Sequence, residues 1–256
     1  GRASWDEARR VFDRAVAEGE LLWRSTSLAD AGVAVAAALA GSATLHAQCG
    51  EGDAAAADFA RAETVLGAVC AAEPGNGKAW YHRAYASFND GLLRLKSGEA
   101  AAGEPLLARA AELVERAATA ASPSPDAGAL RALALRNRTA ALVMLGRDRD
   151  AVANIRRLIA AHPRDARLLE TACRLLNGLA SMEDRGLPAP EMAMWRLDAA
   201  RALAQRVALA KVPDQMLARR AVEMLRRALQ EGAKPATPPD RDPSFAAVRG
   251  EVDFPR

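Results

Sequence analysis

Residues that favour β-strands are scarce in this chain. Aromatic side chains make up 4% of its 256 residues, β-branched residues are few, and no segment alternates apolar and polar positions in the way a half-buried strand requires. Cysteine is almost absent as well. Cys49, Cys70 and Cys173 are an odd number, lie far apart and form no CxxC pair, which excludes a disulfide framework and fits a reducing compartment such as the cytoplasm. Long hydrophobic runs are missing too. The most alanine-rich stretch, 29–47, is broken by Gly32, Gly41, Ser42 and His46 and is too weakly hydrophobic to span a membrane. The opening GRASWDEARR has neither an apolar signal core nor an initiator methionine, so a fragment of a longer protein, conceivably a membrane-tethered one, is expected.

Lysine is nearly missing. Of the 35 basic residues only Lys78, Lys96, Lys211 and Lys234 are lysines, which leaves 31 arginines. Acidic residues are interleaved with them, as in RRVFDRAVAE, and the net charge is only +3. Such mixing marks a solvated, salt-bridged helix face, whereas nucleic-acid binding calls for a one-sided basic stripe.

What is present is alanine, leucine and arginine, all good helix formers. Pro74, Pro123, Pro163 and Pro213 punctuate the chain at intervals of 49, 40 and 50 residues. Glycine- and proline-rich turns separate segments expected to be helical near 4–24, 28–49, 53–73, 78–97, 104–121, 126–145, 148–161, 165–184, 189–211 and 213–231. Ser4 and Glu7 have the spacing of a capping box for the first of these. Ala151, Ile155, Leu158 and Ile159 fall on one side of their segment, with Arg156 and Arg157 opposite. Leu217, Ala221, Met224, Leu225 and Ala228 do the same against Arg219, Arg220, Arg226 and Arg227. The fold class is all-α. A regular series of helix hairpins, each with an apolar face too large to bury alone, predicts stacked repeats.

Several of these residues resemble the tetratricopeptide (TPR) family. Pro74, Trp80 and Ala84 resemble the boundary between two repeats, and Ala151, Ile155 and Pro163 resemble the second helix of one; Ala62, Leu66 and Pro74 repeat that spacing. The resemblance runs through most of 28–231, with units longer than the usual period of roughly 34 residues. It implies a right-handed α-solenoid of about five hairpins over 1–232, followed by a proline-rich connection and cap over 233–256. Residues 220–232 with Asp242, Pro243, Phe245 and Val248 are similar to the closing segment of bacterial TPR regions, including those appended to serine/threonine protein kinases. In that case the catalytic domain would lie outside this chain.

No catalytic set assembles from the sequence. Gly75, Gly77 and Lys78 only hint at a phosphate loop, because Ala72 and Ala79 stand where glycine and Ser/Thr are needed. Asp58-Phe-Ala and Ala189-Pro-Glu echo kinase triplets without the other kinase loops. His46 and Cys49 are one turn apart, but two ligands do not make a zinc site, and helix packing is the better reading. His82 and His162 have no partner at metal spacing. Acidic pairs (Glu183/Asp184, Asp148/Asp150, Asp240/Asp242) fall at turns and helix starts. Neither a metal nor a cofactor is expected. Asn89, Asn137 and Asn177, by contrast, lie 15, 14 and 14 residues after successive prolines. Asparagine is unfavourable inside a helix, so its recurrence suggests amides that line a concave groove and bond the main chain of an extended peptide. Tyr81 and Tyr85 share the face of Asn89, and Arg174 lies near Asn177. The partner expected is therefore a protein or peptide rather than nucleic acid or membrane. Amides that bond neighbouring helices, or that merely precede the loop, are the alternative.

Overall fold

The computed structural model describes residues 2–182, 186–210, 212, 214–251 and 253–255, with side chains from Trp5 onward. The Glu183/Asp184 pair and the punctuating Pro213 lie outside the described residues. Among them the chain is helical, without a β-strand: α1 (Arg2–Thr26), α2 (Ala29–Gln48), α3 (Gly52–Ala72), α4 (Gly77–Lys96), α5 (Ala100–Thr119), α6 (Ala127–Met144), α7 (Asp148–Ala161), α8 (Ala166–Leu179), α9 (Ala189–Ala208) and α10 (Gln215–Gln230), then a 3-10 helix, Pro243–Val248. Turns end helices where the sequence places glycine. Gly50, Gly98, Gly146 and Gly232 all adopt positive φ, a conformation that glycine enters without a Cβ clash.

Two expectations need correction. α1 already begins at Arg2, so Ser4 lies within the helix and is not its cap. α5 begins at Ala100, before the expected start near 104, and carries Pro105 inside it. Pro105 can neither donate to the Ala101 carbonyl nor harm a buried contact, since both residues are on the exposed side.

The chain packs as two compact units, Gly1–Leu145 and Gly146–Arg256. In the first, α3 packs on α2 and α4, α5 packs on α4 and α6, and α2, α4 and α6 also touch in turn. Small residues make this closeness feasible. A Cβ on Gly103 would come within 2.8 Å of the Gly91 carbonyl oxygen across the α4–α5 contact. Leu39, Leu66, Leu107 and Leu135 fill the core, with Ala62, Ala84 and Ala134 between them. In the second unit α8 packs on α7 and α9, and α9 on α10; the 3-10 helix rests on α9 and α10. Its Phe245 and Val248 are buried with Leu197 and Leu225.

Arginine–carboxylate pairs tie each unit across its hairpins at a recurring separation. Arg9–Glu51, Glu20–Arg61 and Glu63–Arg109 join α1, α3 and α5. Arg149–Glu191, Arg156–Asp198 and Arg201–Asp242 join α7, α9 and the 3-10 helix. Partners are 41 to 46 residues apart.

Candidate functional site

α4 carries the strongest candidate. The Asn76 side chain caps it by accepting from the Ala79 amide at 3.0 Å. Trp80 is buried beneath it, with its indole N–H donating to the Pro74 carbonyl at 2.9 Å, and the guanidinium of Arg116 lies 4.9 Å from its ring centre. With one face so anchored, residues one turn apart on another face stand in file: Tyr81, Tyr85, Asn89, Leu93. The two tyrosine rings stack at 6.3 Å with an interplanar angle of 20°. Tyr85 is exposed, while burial pushes the Tyr81 hydroxyl up. His82 meets the Tyr81 ring edge-on at 5.6 Å. Its burial, with Lys78 nearby, pushes its pKa down, which favours a neutral imidazole at neutral pH.

Farther along the same face, Asn89, Leu92, Leu93 and Lys96 line an open cleft of about 370 Å³ together with Thr44, Ala47 and Gln48 of α2 and Phe59 of α3. The Asn89 Nδ2 is buried there and donates no hydrogen bond within the protein. A buried amide without an acceptor costs about 1–3 kcal/mol, so a native structure that keeps one calls for an explanation. Beside it, burial raises the Asp90 carboxyl above its ordinary range, opposed by Arg94 at 3.4 Å.

The other asparagines are placed differently. Asn137, on α6, donates its Nδ2 to the Leu133 carbonyl of its own helix at 2.9 Å, so that hydrogen bond is spent locally. Asn177 and Arg174 lie one turn apart on α8 in the second unit. Asn177 is half-buried and Arg174 exposed.

The remaining motifs resolve into structure. Gly77 donates its amide to the Ser122 carbonyl at 3.1 Å, and Ser122 donates back to the Gly75 carbonyl. The loop that imitates a phosphate cradle is thus paired with the next inter-helix loop. His46 binds Glu51, which also accepts from Arg9, and these partners hold the Glu51 carboxyl below its ordinary range. Cys49, expected in helix packing, is exposed at the C-cap of α2 because Gly50 ends the helix there. Burial pushes the Cys70 and Cys173 thiols up to about 11, so both are protonated and inert at neutral pH. Among the described residues no three His, Cys, Asp or Glu side chains gather as a metal site, and no helix is long and apolar enough to cross a membrane.

No family model, curated protein or solved structure matches this chain. The α4 face therefore stands on its geometry alone. Two features of the molecule escaped the sequence. The cleft needs residues of α2 and α3 that no local pattern links to Asn89. The ion pairs across hairpins join residues more than forty positions apart, and only a search for opposite charges at a fixed long separation would have found them.

Proposed function

We propose that the first unit is a non-catalytic docking module, built of TPR-like hairpins, which receives an extended peptide segment of a protein partner along α4. The observation that carries this reading is the unpartnered Asn89 amide in a cleft walled by Leu92, Leu93 and Phe59. An extended peptide supplies an apolar side chain for the walls and, once the Asn89 side chain turns out of its buried position, a main-chain carbonyl for its amide. Stacked Tyr81 and Tyr85 add a flat surface that loses little conformational entropy when covered. Support for the hairpin type comes from the burial of Ala62, Leu66, Trp80 and Ala84, and of Ala151 and Ile155 in the second unit. These are the positions where the resemblance requires packing.

Selection of peptides from a random display library on the intact chain tests the reading. Asn89→Ala and Tyr85→Ala are each expected to weaken the selected peptides about five- to tenfold, in proportion to one lost hydrogen bond or stacking contact. Neither variant should unfold at a lower temperature, because neither side chain supports the core and Asn89→Ala removes an unpaired buried amide. Wild-type affinity in both variants would overturn the assignment.

A second reading has one observation in its favour. The Asp242-capped 3-10 helix lies against α9 and α10, as in the closing segment that the C-terminal residues resemble. On that reading the chain recruits substrates or regulators for a bacterial serine/threonine kinase. The coding sequence upstream of Gly1 decides it by the presence or absence of the kinase loops.

A further inference from the structure

α1 has two faces of different character. Its inner face packs on α2 so closely that a Cβ at Gly41 would strike the Phe12 ring at 2.4 Å, and one at Gly19 would strike Val35 at 2.7 Å. Its outer face holds Arg10, Val11, Arg14, Glu18, Leu21 and Leu22, a stripe at helical spacing that nothing in the unit covers. Val11 is 61% exposed, Leu21 73% and Leu22 51%. Large apolar side chains clustered at this exposure on one helix face mark an interaction surface.

Reversed end for end, that stripe is complementary to itself. Val11 and Leu21 lie equally far from the level of Val16, in opposite directions; so do Arg14 and Glu18, and Arg10 and Leu22. A second α1 laid antiparallel therefore sets Val11 against Leu21, twice, and Arg14 against Glu18, twice. The methylene stem of Arg10 then covers Leu22. A parallel arrangement in register would oppose Arg14 to Arg14 and Glu18 to Glu18, which is repulsive. Arg14 and Glu18 already pair within the helix at 2.7 Å, both largely exposed. In the antiparallel arrangement these four charges close into a ring around a two-fold axis, the isologous geometry of a homodimer.

We propose that the outer face of α1 is a self-association surface, and that its occupant is α1 of a second copy of this chain, antiparallel. One helix pair buries an area at the low end of specific interfaces, so the dimer should be weak and salt-sensitive.

Sedimentation equilibrium of the whole chain in low salt, over a hundredfold range of concentration reaching about 0.2 mM, tests this. A concentration-dependent dimer is expected. Arg14→Glu and Glu18→Arg should each weaken self-association by roughly tenfold or more, because each places like charges in the ring. Mixed in equal amounts, the two variants should associate with each other about as well as the wild-type chain does with itself. The double variant should self-associate normally. Leu21→Lys tests the apolar contact without altering the ring, at a side chain already exposed, and should also give monomer with unchanged thermal unfolding. A wild-type chain that stays monomeric throughout would overturn the proposal. So would variants that dimerise like wild type, or a mixture that associates no better than its components. A monomeric result would leave the face open to a different helix.

Discussion

Gly77 shows how much one missing methyl group can decide. It opens α4, where alanine is ordinarily better than glycine by about 0.5–1 kcal/mol. A Cβ there, however, would sit 2.2 Å from the Ser122 carbonyl oxygen and 2.9 Å from that of Ala117. Those atoms are backbone, one in the paired loop and one in the last turn of α5, and cannot rotate away. Overpacking of this kind costs about 1–3 kcal/mol, so the clash should outweigh the helix gain. Gly67, in the middle of α3, is the control, since its Cβ would meet only Arg83, at 3.7 Å. Urea unfolding should therefore show Gly77→Ala destabilised by about 1–3 kcal/mol and Gly67→Ala stabilised by about 0.5–1 kcal/mol. The sequence places both glycines near or within helices, yet nothing in their local context tells them apart. The difference comes from a loop 45 residues away, which approaches Gly77 and not Gly67.

At the scale of the element, the ion pairs differ in worth although they share a spacing. Arg149–Glu191 is solvent-exposed on the arginine side, and such a pair adds little to stability because water screens it. Arg201–Asp242 is more enclosed. Burial alone would raise the Asp242 carboxyl, but the Ser244 amide and the Arg201 guanidinium outweigh it and hold the group below its ordinary range. A carboxyl depressed in the folded state adds stability above its unfolded pKa, about 3.9, and loses it as the pH falls through the lower folded value. Asp242→Asn keeps an acceptor for the Ser244 amide but loses the charge that faces Arg201, so it should lower stability at pH 7 by about 1 kcal/mol. The gap to wild type in thermal unfolding should narrow once the pH drops below about 4. A gap that stays constant down to pH 2 would assign the effect to packing instead. Element boundaries were largely legible, because proline and glycine end helices through backbone sterics that act locally. Pro105 is tolerated inside α5. Its rule is local, and the hydrogen bond it forfeits lies on the exposed side of the helix.

For the whole molecule, the division at Gly146 carries its own expectation. The first unit has a continuous core from Val16 to Ala141, and a domain of about 150 residues buries enough surface to stand alone. Residues 1–145 expressed separately should give a helical circular dichroism spectrum and a cooperative thermal transition. An unfolded fragment would mean that this core depends on the remainder of the chain. The proposed peptide-docking face and the proposed self-association face both lie in this unit, on α4 and α1. The fragment should therefore retain both activities, measured as for the full chain.

The helical class, the run of hairpins and the solvent-facing arginines were determined by the sequence alone, because periodicity and helix termination depend on neighbours a few residues away. The cleft at Asn89, the difference between Asn89 and Asn137, the paired loops at Gly77 and the uncovered face of α1 were decided only by tertiary structure. Whether an amide finds an acceptor, or an apolar stripe finds a neighbour, depends on which distant helices pack beside it. No local pattern in the chain contains that.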